Sequence, residues 1–415
     1  MSNVTVAAHD ALQKDRIRIP VICVCLYFLC MPLTFVTVVP GVSMLRLVTI
    51  PVVGVLACSL FLGKSRISFN VVHFTYCLYM ILCAASLLIF RSEESIVTVR
   101  DMFLTFAVMM LATLQVYNRR EKNLIVYTWI LVGLISALMC VTSHNTIYGE
   151  RTVIVILGSR EDPNQFCSYF ILPVLFALEK LVEGKNKWRF LTLPYIALIA
   201  YAVLRTGSRG GLAALAVGIV VYVLIGLKSI KAKIAVIITS MLVVILTFTL
   251  VVPNLPETVR ERYTLERITS DRGSGRYDIW EYLIRYIADD EESLLCGYGI
   301  CSTTEVMAEA NFTNRYAHNQ WIQVLFDQGI LGVVFYALMI LSCMMRSWKR
   351  SSVCLCAVVS IMAFSMSLTF YTFKPYFNII MMCAMNYDGE LALHRLAEKL
   401  RKGKESVYAQ ETVHN

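Results

Sequence analysis

The sequence predicts an all-α polytopic membrane protein with about twelve transmembrane helices and one long extracytoplasmic loop that contains short helices. The first observation is composition: 57% of the residues are hydrophobic and only 16% are charged, whereas soluble domains carry roughly a quarter charged residues. The second is that apolar runs of about 20 residues, the length that crosses a bilayer, recur along the chain. We therefore expect a single integral membrane domain over residues 1–415.

The apolar runs define the predicted spans. The first run follows Lys14, Arg16 and Arg18 and lacks a small-residue cleavage site, so it predicts a transmembrane helix rather than a removed signal peptide. The twelve predicted spans are Ile19–Val39, Val42–Leu62, Asn70–Phe90, Ile96–Tyr117, Leu124–Thr142, Phe166–Val182, Trp188–Leu204, Gly210–Leu227, Ile230–Val252, Trp321–Met345, Ser352–Tyr371 and Phe373–Asn386.

Basic residues predict the orientation of these spans. The segments assigned to the cytoplasm hold 23 Lys and Arg, and the outer segments hold 13, of which seven lie in the loop Pro253–Gln320. Short loops that are rich in Lys and Arg face the cytoplasm. Arg46 and Arg100 lie inside spans, near their outer ends, and are expected to reach the headgroups. Both termini are thus predicted to be cytoplasmic, including the tail 387–415, and the loop 253–320 is predicted to be extracytoplasmic.

The outer and cytoplasmic segments also differ in the kind of basic residue. The outer segments carry 12 Arg and a single Lys, Lys374, whereas the cytoplasmic segments carry 13 Lys and 10 Arg. Arginine has a planar, permanently charged fork that matches phosphate oxygens. Two explanations stay open for each outer arginine: it binds phosphate, or it pairs with one of the 12 Asp and Glu of Pro253–Gln320.

Three outer segments lead into predicted helix starts, and the first is Arg151–Asn164. Asp162 and Asn164 suit helix capping, and Pro163 suits a first helical turn. A simple cap explains these three residues, but it does not explain Arg151 upstream of them.

The second segment is the tight turn Leu204–Leu212. Ser208 is expected to cap the next helix, and the glycines Gly207, Gly210 and Gly211 allow the backbone to approach a ligand closely. Backbone N–H groups at a helix start, together with Arg205 and Arg209, predict an anion site. The alternative is a hairpin turn whose arginines bind lipid headgroups.

The third segment is the long loop and its exit, which carry Arg272–Arg276, Trp280 and the pair His318–Asn319. Tyr277, Trp280, Leu283, Ile284 and Ile287 recur at helical spacing, which predicts an amphipathic helix lying on the membrane. A lone histidine is more often structural than catalytic. His318, however, precedes a helix start on the side where the arginines gather, and this favours a functional role.

Cysteine and charge exclude other kinds of site. Twelve of the 14 cysteines fall in or at the edges of apolar runs and are expected to act as small apolar residues. Cys296 and Cys301 lie in the long loop, where a disulfide is an open alternative. No Cys/His cluster has zinc spacing, so no metal site is predicted. Basic cytoplasmic loops explain the net charge of +9, and no nucleic-acid partner is expected.

Four motifs, in this order and with these spacings, resemble the O-antigen ligase and O-antigen polymerase family. They are TGSRGGLAAL, SGRYDIW, GYGI and AHNQWIQVLFDQGILG, and EDPNQF ahead of them is similar to that family's DPN-type segment. The resemblance covers roughly Arg151 to Met345. It implies a GT-C-like membrane glycosyltransferase in the bacterial cytoplasmic membrane, with its active site on the extracytoplasmic side.

The resemblance also implies a reaction and a set of roles. The donor is expected to be an oligosaccharide linked to undecaprenyl diphosphate, the acceptor a hydroxyl of a glycan or glycolipid, and no cofactor or metal ion is expected. A single displacement inverts the anomeric centre. His318 matches the histidine that activates the acceptor, and Arg209 and Arg276 match the arginines that hold the diphosphate. Arg151 and Arg205 match by position and are also expected to bind the diphosphate. The expected supporting residues are Ser208, Gly210, Asn164 and Asn319.

This reaction is consistent with the residue types. Departure of the diphosphate puts negative charge on the leaving group, and fixed arginines stabilise such charge without Mg²⁺. A histidine titrates near neutral pH and suits the base. We favour a polymerase over a ligase because polymerases are used widely in capsule and exopolysaccharide clusters, and a chain-length regulator protein is then a further partner. The alternatives are a flippase for lipid-linked saccharides, which would place polar residues and broken helices at mid-depth in the spans, and a scaffold, which would not need the arginine bias.

Overall fold

The structure is a computed structural model, and it describes residues 16–39, 41–63, 66–147, 151–264, 266, 275–313, 316–348, 350–371 and 373–388. Three of the sequence-based expectations fall outside these residues: the basic Lys14, the stretch Arg272–Ser274 and the greater part of the tail 387–415. The described chain is mostly helical. The prediction of a mainly α-helical protein is therefore confirmed.

Seventeen α-helices are present among the described residues. They are α1 (Ile19–Leu29), α2 (Met44–Phe61), α3 (Val71–Ala85), α4 (Glu93–Leu114), α5 (Arg119–Thr142), α6 (Pro163–Phe166), α7 (Ile171–Glu183), α8 (Thr192–Arg205), α9 (Arg209–Val221), α10 (Ile230–Leu246), α11 (Glu257–Glu261), α12 (Arg276–Ala288), α13 (Glu291–Cys296), α14 (Ser302–Glu309), α15 (Gln320–Trp348), α16 (Ser352–Ser365) and α17 (Lys374–Met381).

Tighter and wider helical turns extend several of these helices. The 3₁₀ turns are Met31–Leu33, Ser86–Leu88, Cys167–Phe170, Lys187–Leu191, Val252–Asn254 and Met382–Ala384, and the π turns are Tyr222–Gly226 and Thr247–Val251. With these extensions, eight helical segments of the described chain are long and apolar enough to cross a membrane: Met44–Phe61, Val71–Leu88, Glu93–Leu114, Arg119–Thr142, Pro163–Glu183, Lys187–Arg205, Arg209–Gly226 and Gln320–Trp348.

The other predicted spans also contain helix, but the helices are shorter. Ile19–Leu29 and Ser352–Ser365 are apolar helices of 10–17 residues, and the first of them stops well before Val39 because Pro32 and a strand follow it. Ile230–Leu246 and Lys374–Met381 lie inside the ninth and twelfth predicted ranges. The count of twelve spans stays a prediction.

In the part of the chain that the structure describes, four two-stranded pairings join the helices. Three are antiparallel: β1 (Thr37–Val39) with β2 (Val42–Ser43), β4 (Thr146–Ile147) with β5 (Arg151–Thr152), and β6 (Val155–Ile156) with β7 (Ser159–Arg160). The fourth is parallel, between β3 (Val116–Tyr117) and β8 (Asn386–Tyr387), with Val116 opposite Asn386. These strands are two or three residues long, and they fix the connections rather than form a layer.

One end of the helix bundle is closed by buried polar contacts, and we call it the tail end. Arg18 pairs with the buried Glu121 at 2.7 Å. Asn386 donates to the carbonyls of Ser68 and Thr113, each at 2.9 Å, and accepts from Arg346 at 2.6 Å. Each partner satisfies a group that would be costly to bury alone.

The described parts of the connection 143–162 and of the long segment 253–319 meet the connection 205–209 at the opposite end, which we call the loop end. The backbone N–H of Thr37 donates to Ser159 Oγ at 3.1 Å, and Tyr316 OH donates to Glu94 Oε1 at 3.3 Å. Arg262 Nε donates to the carbonyl of Gly207 at 3.0 Å. The three segments that the sequence singled out therefore lie at the same end of the bundle.

The described part of the long segment 253–319 forms a small core together with the start of α15. Ile279, Leu283 and Ile287 on one face of α12 are buried against Met307 and Phe326. The predicted amphipathic helix is thus present, but its buried face packs on protein. Tyr277 and Ile284, also expected on the apolar face, are 54% and 47% exposed.

Candidate functional site

The turn at Asp162 begins the site and has the predicted geometry. Asp162 precedes α6 and accepts from the backbone N–H groups of Asn164 at 2.8 Å and Gln165 at 2.9 Å, and Pro163 occupies the first helical position. Capping of this kind satisfies N–H groups that the helix itself cannot. The predicted cap is confirmed, and it holds the carboxylate of Asp162 at the loop end.

Arg151 is buried beside this turn. Its Nε donates to the carbonyl of Thr206 at 2.8 Å, and its Nη2 donates to Asn164 Oδ1 at 2.9 Å. Burial lowers the pKa of Arg151 below its usual value, while the carboxylate of Asp162 acts to raise it. Arg151 and Asn164, two expected site residues, are therefore in direct contact, and Arg151 links the two predicted turns.

The turn from Thr206 to Gly211 has the predicted cap. Ser208 Oγ accepts from the backbone N–H of Gly211 at 3.2 Å and starts α9. Gly207 has φ +63°, and a Cβ there would lie 3.2 Å from Arg151 Cγ and 3.3 Å from Arg262 Cδ. Only glycine adopts this conformation without strain. Because Gly207 has no side chain, Arg151 and Arg262 can both pack against the turn.

Two other glycines of this turn serve packing in the structure. A Cβ on Gly210 would lie 2.4 Å from Ser367 Oγ, and a Cβ on Gly211 would lie 2.6 Å from Cys167 Cβ. The sequence of the turn predicts that both admit a ligand. The close neighbours are protein atoms, which brings α9 against the segments that carry Cys167 and Ser367.

Arg205 differs from the other arginines in what it contacts. Its Nη1 donates to the carbonyls of Val141 and, at 3.3 Å, Cys140, and its Nη2 donates to the carbonyl of Ser143 at 3.1 Å. These carbonyls end α5, where a cation is favoured by the helix dipole. A diphosphate role for Arg205 stays a prediction, and these contacts favour a structural one.

Arg209 and Arg262 complete a cationic cluster with Arg151. The charge of Arg209 lowers the pKa of Arg151, which places the two guanidinium groups within electrostatic reach. Arg262 donates to Gly207, and its neighbour Tyr263 donates to the carbonyl of Leu204 at 3.2 Å. The sequence places Arg262 among the outer arginines without distinguishing it from them, because its position beside Gly207 is a tertiary contact.

His318 lies in a turn whose backbone is held on both sides. It has φ +50°, a conformation that is costly for a residue with a side chain. The N–H of the preceding Ala317 donates to Gln323 Oε1 at 2.9 Å, and the carbonyl of Ala317 accepts from Trp280 Nε1 at 2.7 Å. The surrounding contacts therefore impose the turn that presents His318.

The imidazole of His318 has an electrostatic environment of mixed sign. Burial and, second, the charge of Arg276 together lower its pKa to about 4, while the charge of Asp162 acts in the opposite direction. Its Nδ1 is buried and makes no hydrogen bond to the part of the chain that the structure describes. His318 is therefore a neutral base at pH 7 that lies within reach of one cation and one carboxylate.

Asn319 and Gln320 anchor the start of α15. Asn319 Oδ1 accepts from the N–H groups of Trp321 at 3.0 Å and Ile322 at 3.3 Å, so it caps the helix. Gln320 Oε1 accepts from the N–H groups of Phe370 at 2.6 Å and Tyr371 at 2.8 Å. The supporting role expected of Asn319 is thus that of a cap, directly after the histidine.

Asp327 is the centre of a buried network below this turn. It is 0% exposed and accepts from Ser302 Oγ at 3.2 Å, from the N–H of Thr303 at 3.3 Å and from Gln323 Nε2 at 3.0 Å. The hydroxyls of Thr303 and Tyr371 also donate to it. One carboxylate thus joins α14, α15 and the segment after α16.

Two glycines allow the loop to dock on this network. Gly329 interrupts α15 with φ +64° and ψ −164°, and a Cβ there would lie 2.4 Å from the carbonyl of Leu295. A Cβ on Gly297 would lie 2.4 Å from the backbone nitrogen of Gln328. The N–H groups of Tyr298 and Gly299 donate to the carbonyls of Phe326 at 3.0 Å and Asp327 at 2.8 Å. The GYGI motif (297–300) therefore packs backbone against backbone on the FDQG stretch of α15 (326–329).

The sequence does not reveal that Trp280 and Gln323 hold the backbone beside His318, or that Asp327 in turn holds Gln323. A signal was present: Gln320, Gln323 and Asp327 recur at helical spacing inside an otherwise apolar helix, and buried polar side chains require partners. What the spacing could not reveal was the identity of those partners, since Ala317, Thr303 and Tyr371 come from separate segments.

The structure also bears on cysteines and metals. Cys296 and Cys301 are both free thiols, the first exposed and the second buried. Within the described ranges, no group of three or more His, Cys, Asp or Glu side chains is arranged to hold a metal ion. Metal independence stays a prediction that needs its own experiment.

Comparison with known proteins connects this geometry to a family. Among curated proteins, none matches the chain. A chain from a solved structure described as "Structural coordination of polymerization and crosslinking by a peptidoglycan synthase complex" is similar, with 19% identity, a TM-score of 0.43, and coverage of 75% of this chain and 94% of that one. That similarity is too low to support an inference about fold or activity. The family described as O-Antigen ligase matches residues 194–337, which contain Arg205, Arg209, Arg276 and His318. Residues 194–337 of this mostly helical chain, whose described part holds eight candidate membrane spans, thus match the O-antigen ligase family.

Proposed function

We propose that the protein is a glycosyltransferase that moves a glycan from undecaprenyl diphosphate to an acceptor hydroxyl at the outer face of the bacterial cytoplasmic membrane. The observation that supports this most is the surroundings of His318. A neutral imidazole with a buried, unpartnered Nδ1 among the described residues lies in a strained turn, between the charge of Arg276 and that of Asp162. Strained turns of this kind cluster at functional sites.

In the proposed mechanism, His318 takes the proton of the acceptor hydroxyl, whose oxygen bonds to the anomeric carbon while the sugar–diphosphate bond breaks and undecaprenyl diphosphate leaves. Arg209 and Arg276 stabilise the charge that develops on the leaving diphosphate. Arg151 is held by Thr206 and Asn164, so its main part is to position the turn that carries Arg209. A direct displacement inverts the anomeric centre, and no step needs a cofactor or a metal ion.

Location and partners complete the proposal. Both termini face the cytoplasm, and the loop end faces outward. The partners are the lipid bilayer, the lipid-linked oligosaccharide, the acceptor glycan or glycolipid and a chain-length regulator. We favour a polymerase over a ligase, as the base rate of such enzymes suggests.

A flippase is the alternative. It needs a polar path through the bundle, whereas the arginines and His318 cluster at the loop end. At the tail end, the buried Arg18–Glu121 pair and the contacts between Arg346 and Asn386 close the bundle. Because the predicted site arginines lie with His318 at the loop end, whereas Arg18 and Arg346 lie at the tail end, these observations favour an enzyme with one accessible face.

A deletion strain tests the proposal through the gel profile of its surface glycans. Loss of the ladder down to one repeat indicates a polymerase, and loss of glycan from the core with intact lipid-linked polymer indicates a ligase. Complementation with His318→Ala should fail although the protein inserts normally, whereas His144→Ala, an exposed histidine at the same end, should complement. Full activity of His318→Ala would remove the histidine from the mechanism.

Two biochemical measurements separate the roles of charge. Arg209→Lys keeps the charge but loses the planar fork, so transfer should fall strongly. Arg91→Lys, an exposed arginine near the same end, is the matched control and should transfer normally. EDTA should not change the rate of the purified enzyme, and metal dependence would overturn the account of the leaving group.

A further inference from the structure

The turn that carries His318 is joined to the turn that carries Arg209 by the segment that follows α16. Asn319, directly after the histidine, donates from Nδ2 to the carbonyl of Met366 at 3.4 Å. The next residue, Ser367, lies against the other turn, because a Cβ on Gly210 would be 2.4 Å from Ser367 Oγ. The starts of α9 and α15 therefore flank the same short segment.

The turn at Asp162 reaches this junction through α9. A Cβ on Gly211 would lie 2.6 Å from Cys167 Cβ, and Cys167 Sγ donates to the carbonyl of Pro163 at 3.3 Å. Pro163 directly follows Asp162 in the chain. Direct contacts between protein atoms thus connect the starts of α6, α9 and α15, which carry Asp162, Arg209 and His318.

The carboxylate of Asp162 is fixed in position but is only half used. Its Oδ1 accepts from the backbone N–H groups of Asn164 and Gln165, at 2.8 and 2.9 Å. Its Oδ2 accepts no hydrogen bond from the described part of the chain, and the side chain is exposed. Capping accounts for one oxygen of this carboxylate and leaves the second without a role.

His318 needs a negative charge if it is to act as a base. Taking a proton converts the imidazole into a cation, which burial and the charge of Arg276 both disfavour, and these two lower its pKa. The charge of Asp162 acts in the opposite direction. His318 Nδ1 is buried and has no hydrogen-bond partner among the described residues. Asp162 is therefore the carboxylate placed to favour the protonated histidine.

The other carboxyl groups near these turns have different surroundings. Glu94 accepts a tyrosine hydroxyl of the histidine's own segment at 3.3 Å. Asp327, below the turn, is fully buried among the donors that hold it. Glu161, next to Asp162, is buried, and its pKa is raised to about 8, so it is protonated at neutral pH. None of these three supplies the charge that His318 requires.

We propose that Asp162 is a positioning residue of the transfer reaction, whose carboxylate stabilises the imidazolium that His318 becomes when it takes the acceptor proton. In this step the acceptor oxygen gives its proton to His318 and bonds to the anomeric carbon, and the electrons of the broken sugar–diphosphate bond stay on the leaving diphosphate. Asp162 keeps its own charge throughout, and the proton passes from His318 to water afterwards. The inference rests on the proposed function and gives the Asp162 turn a role besides capping.

Asp162→Asn tests this role, because asparagine caps a helix as well as aspartate does but carries no charge. In the full-length protein kcat should fall roughly tenfold, with Tm unchanged. The KM for the lipid-linked donor should stay the same or fall, since a negative charge that acts on Arg151 is removed. Asp290→Asn is the matched control: Asp290 caps α13 in the long loop by accepting from the N–H of Ser293 at 3.2 Å, and its variant should keep kcat.

The pH profile separates charge from structure. Without Asp162, burial and Arg276 act on His318 unopposed, so the acidic limb of kcat/KM should move to lower pH in Asp162→Asn. The Arg276→Gln background brings this limb to higher pH, where the same downward shift is easier to measure. Asp290→Asn should leave the limb in place in both backgrounds.

The outcomes distinguish this inference from the proposed function. A normal kcat and an unmoved limb in Asp162→Asn, with His318→Ala inactive, overturn the role of Asp162 and leave the proposed function standing. A lower kcat with an unmoved limb assigns Asp162 to structure alone and also overturns its role. Full activity of His318→Ala overturns the proposed function itself, whatever Asp162→Asn does.

Discussion

Gln323 Oε1 accepts the backbone N–H of Ala317 at 2.9 Å, directly before His318, while its Nε2 donates to Asp327 Oδ2 at 3.0 Å. This one side chain connects the histidine turn to the buried carboxylate below it. The turn is strained at His318, so its geometry depends on these contacts.

Removal of this connection should reduce transfer through geometry. In Gln323→Met the side chain keeps its length but loses the hydrogen bonds, and a displacement of His318 by about 1 Å can lower kcat roughly a hundredfold. The KM for the lipid-linked donor should change little, because the arginines are untouched. Steady-state kinetics on purified protein check this. Ile322→Val, on the same helical turn, is the control; an equal rise in KM would indicate a general loss of structure.

The kink at Gly329 should tolerate no side chain. Gly329→Ala adds a Cβ at 2.4 Å from backbone atoms of Leu295 and imposes positive φ on alanine, which costs about 1–3 kcal/mol from backbone strain alone. We expect a clearly lower Tm and less protein in the membrane. Gly54→Ala, a helical glycine with no atom within 4 Å of the added Cβ, should leave Tm unchanged or slightly higher. A normal Tm for Gly329→Ala would contradict the docking of GYGI on FDQG.

The acidic limb of the activity profile should lie at unusually low pH. Burial and Arg276 lower the pKa of His318 to about 4, so the base stays neutral until the pH approaches that value. The kcat/KM, which reports groups of the free enzyme, should therefore fall near pH 4 rather than near 6.5. Arg276→Gln removes the repelling charge and should shift the limb to higher pH, whereas Arg260→Gln should not. A limb at the ordinary histidine pKa in every variant would exclude this environment.

Glu161 should make stability depend on pH. It is 3% exposed, and burial, with the charge of Asp162 second, raises its pKa from 4.5 to about 8. The folded protein therefore binds a proton that the unfolded chain releases above pH 4.5, and stability falls as the pH rises toward and through 8. Glu161→Gln, neutral at every pH, should match the Tm of wild type at pH 5 and exceed it at pH 9. Glu305→Gln, at an exposed position, is the control; a pH-independent difference for Glu161→Gln would refute the shift.

Arg205 and Arg209 should respond differently to lysine. The three carbonyls that Arg205 contacts end α5, so Arg205→Lys should lower Tm while kcat of the folded fraction is largely kept. Arg209→Lys should lower kcat with little change in Tm. Differential scanning and initial rates on the same preparations check both. A lower kcat for Arg205→Lys together with a lower Tm for Arg209→Lys would assign the catalytic role to Arg205 and the structural role to Arg209.

The sequence by itself determined the class of protein and the segments of interest. Apolar run length and charge content predicted the helical membrane protein, and side-chain chemistry predicted the caps at Asp162 and Ser208, because capping depends on residues only two or three positions apart. The motif order predicted the family whose domain matches residues 194–337. Run length, helix caps and motif order depend only on residues near one another or on their order along the chain. They can therefore be recognised before the tertiary structure is known.

Only the tertiary structure decided how the segments meet. Arg205 donates hydrogen bonds to carbonyls at the C-terminus of α5, which lie 62 to 65 residues away in the sequence. No local sequence pattern distinguishes Arg205 from Arg209. Trp280, Gln323 and Asp327 support His318 through residues of other segments, and the apolar face of α12 packs on protein rather than lying free. The physical reason is that a buried polar or apolar group needs a partner, but its chemistry does not specify which distant residue supplies one.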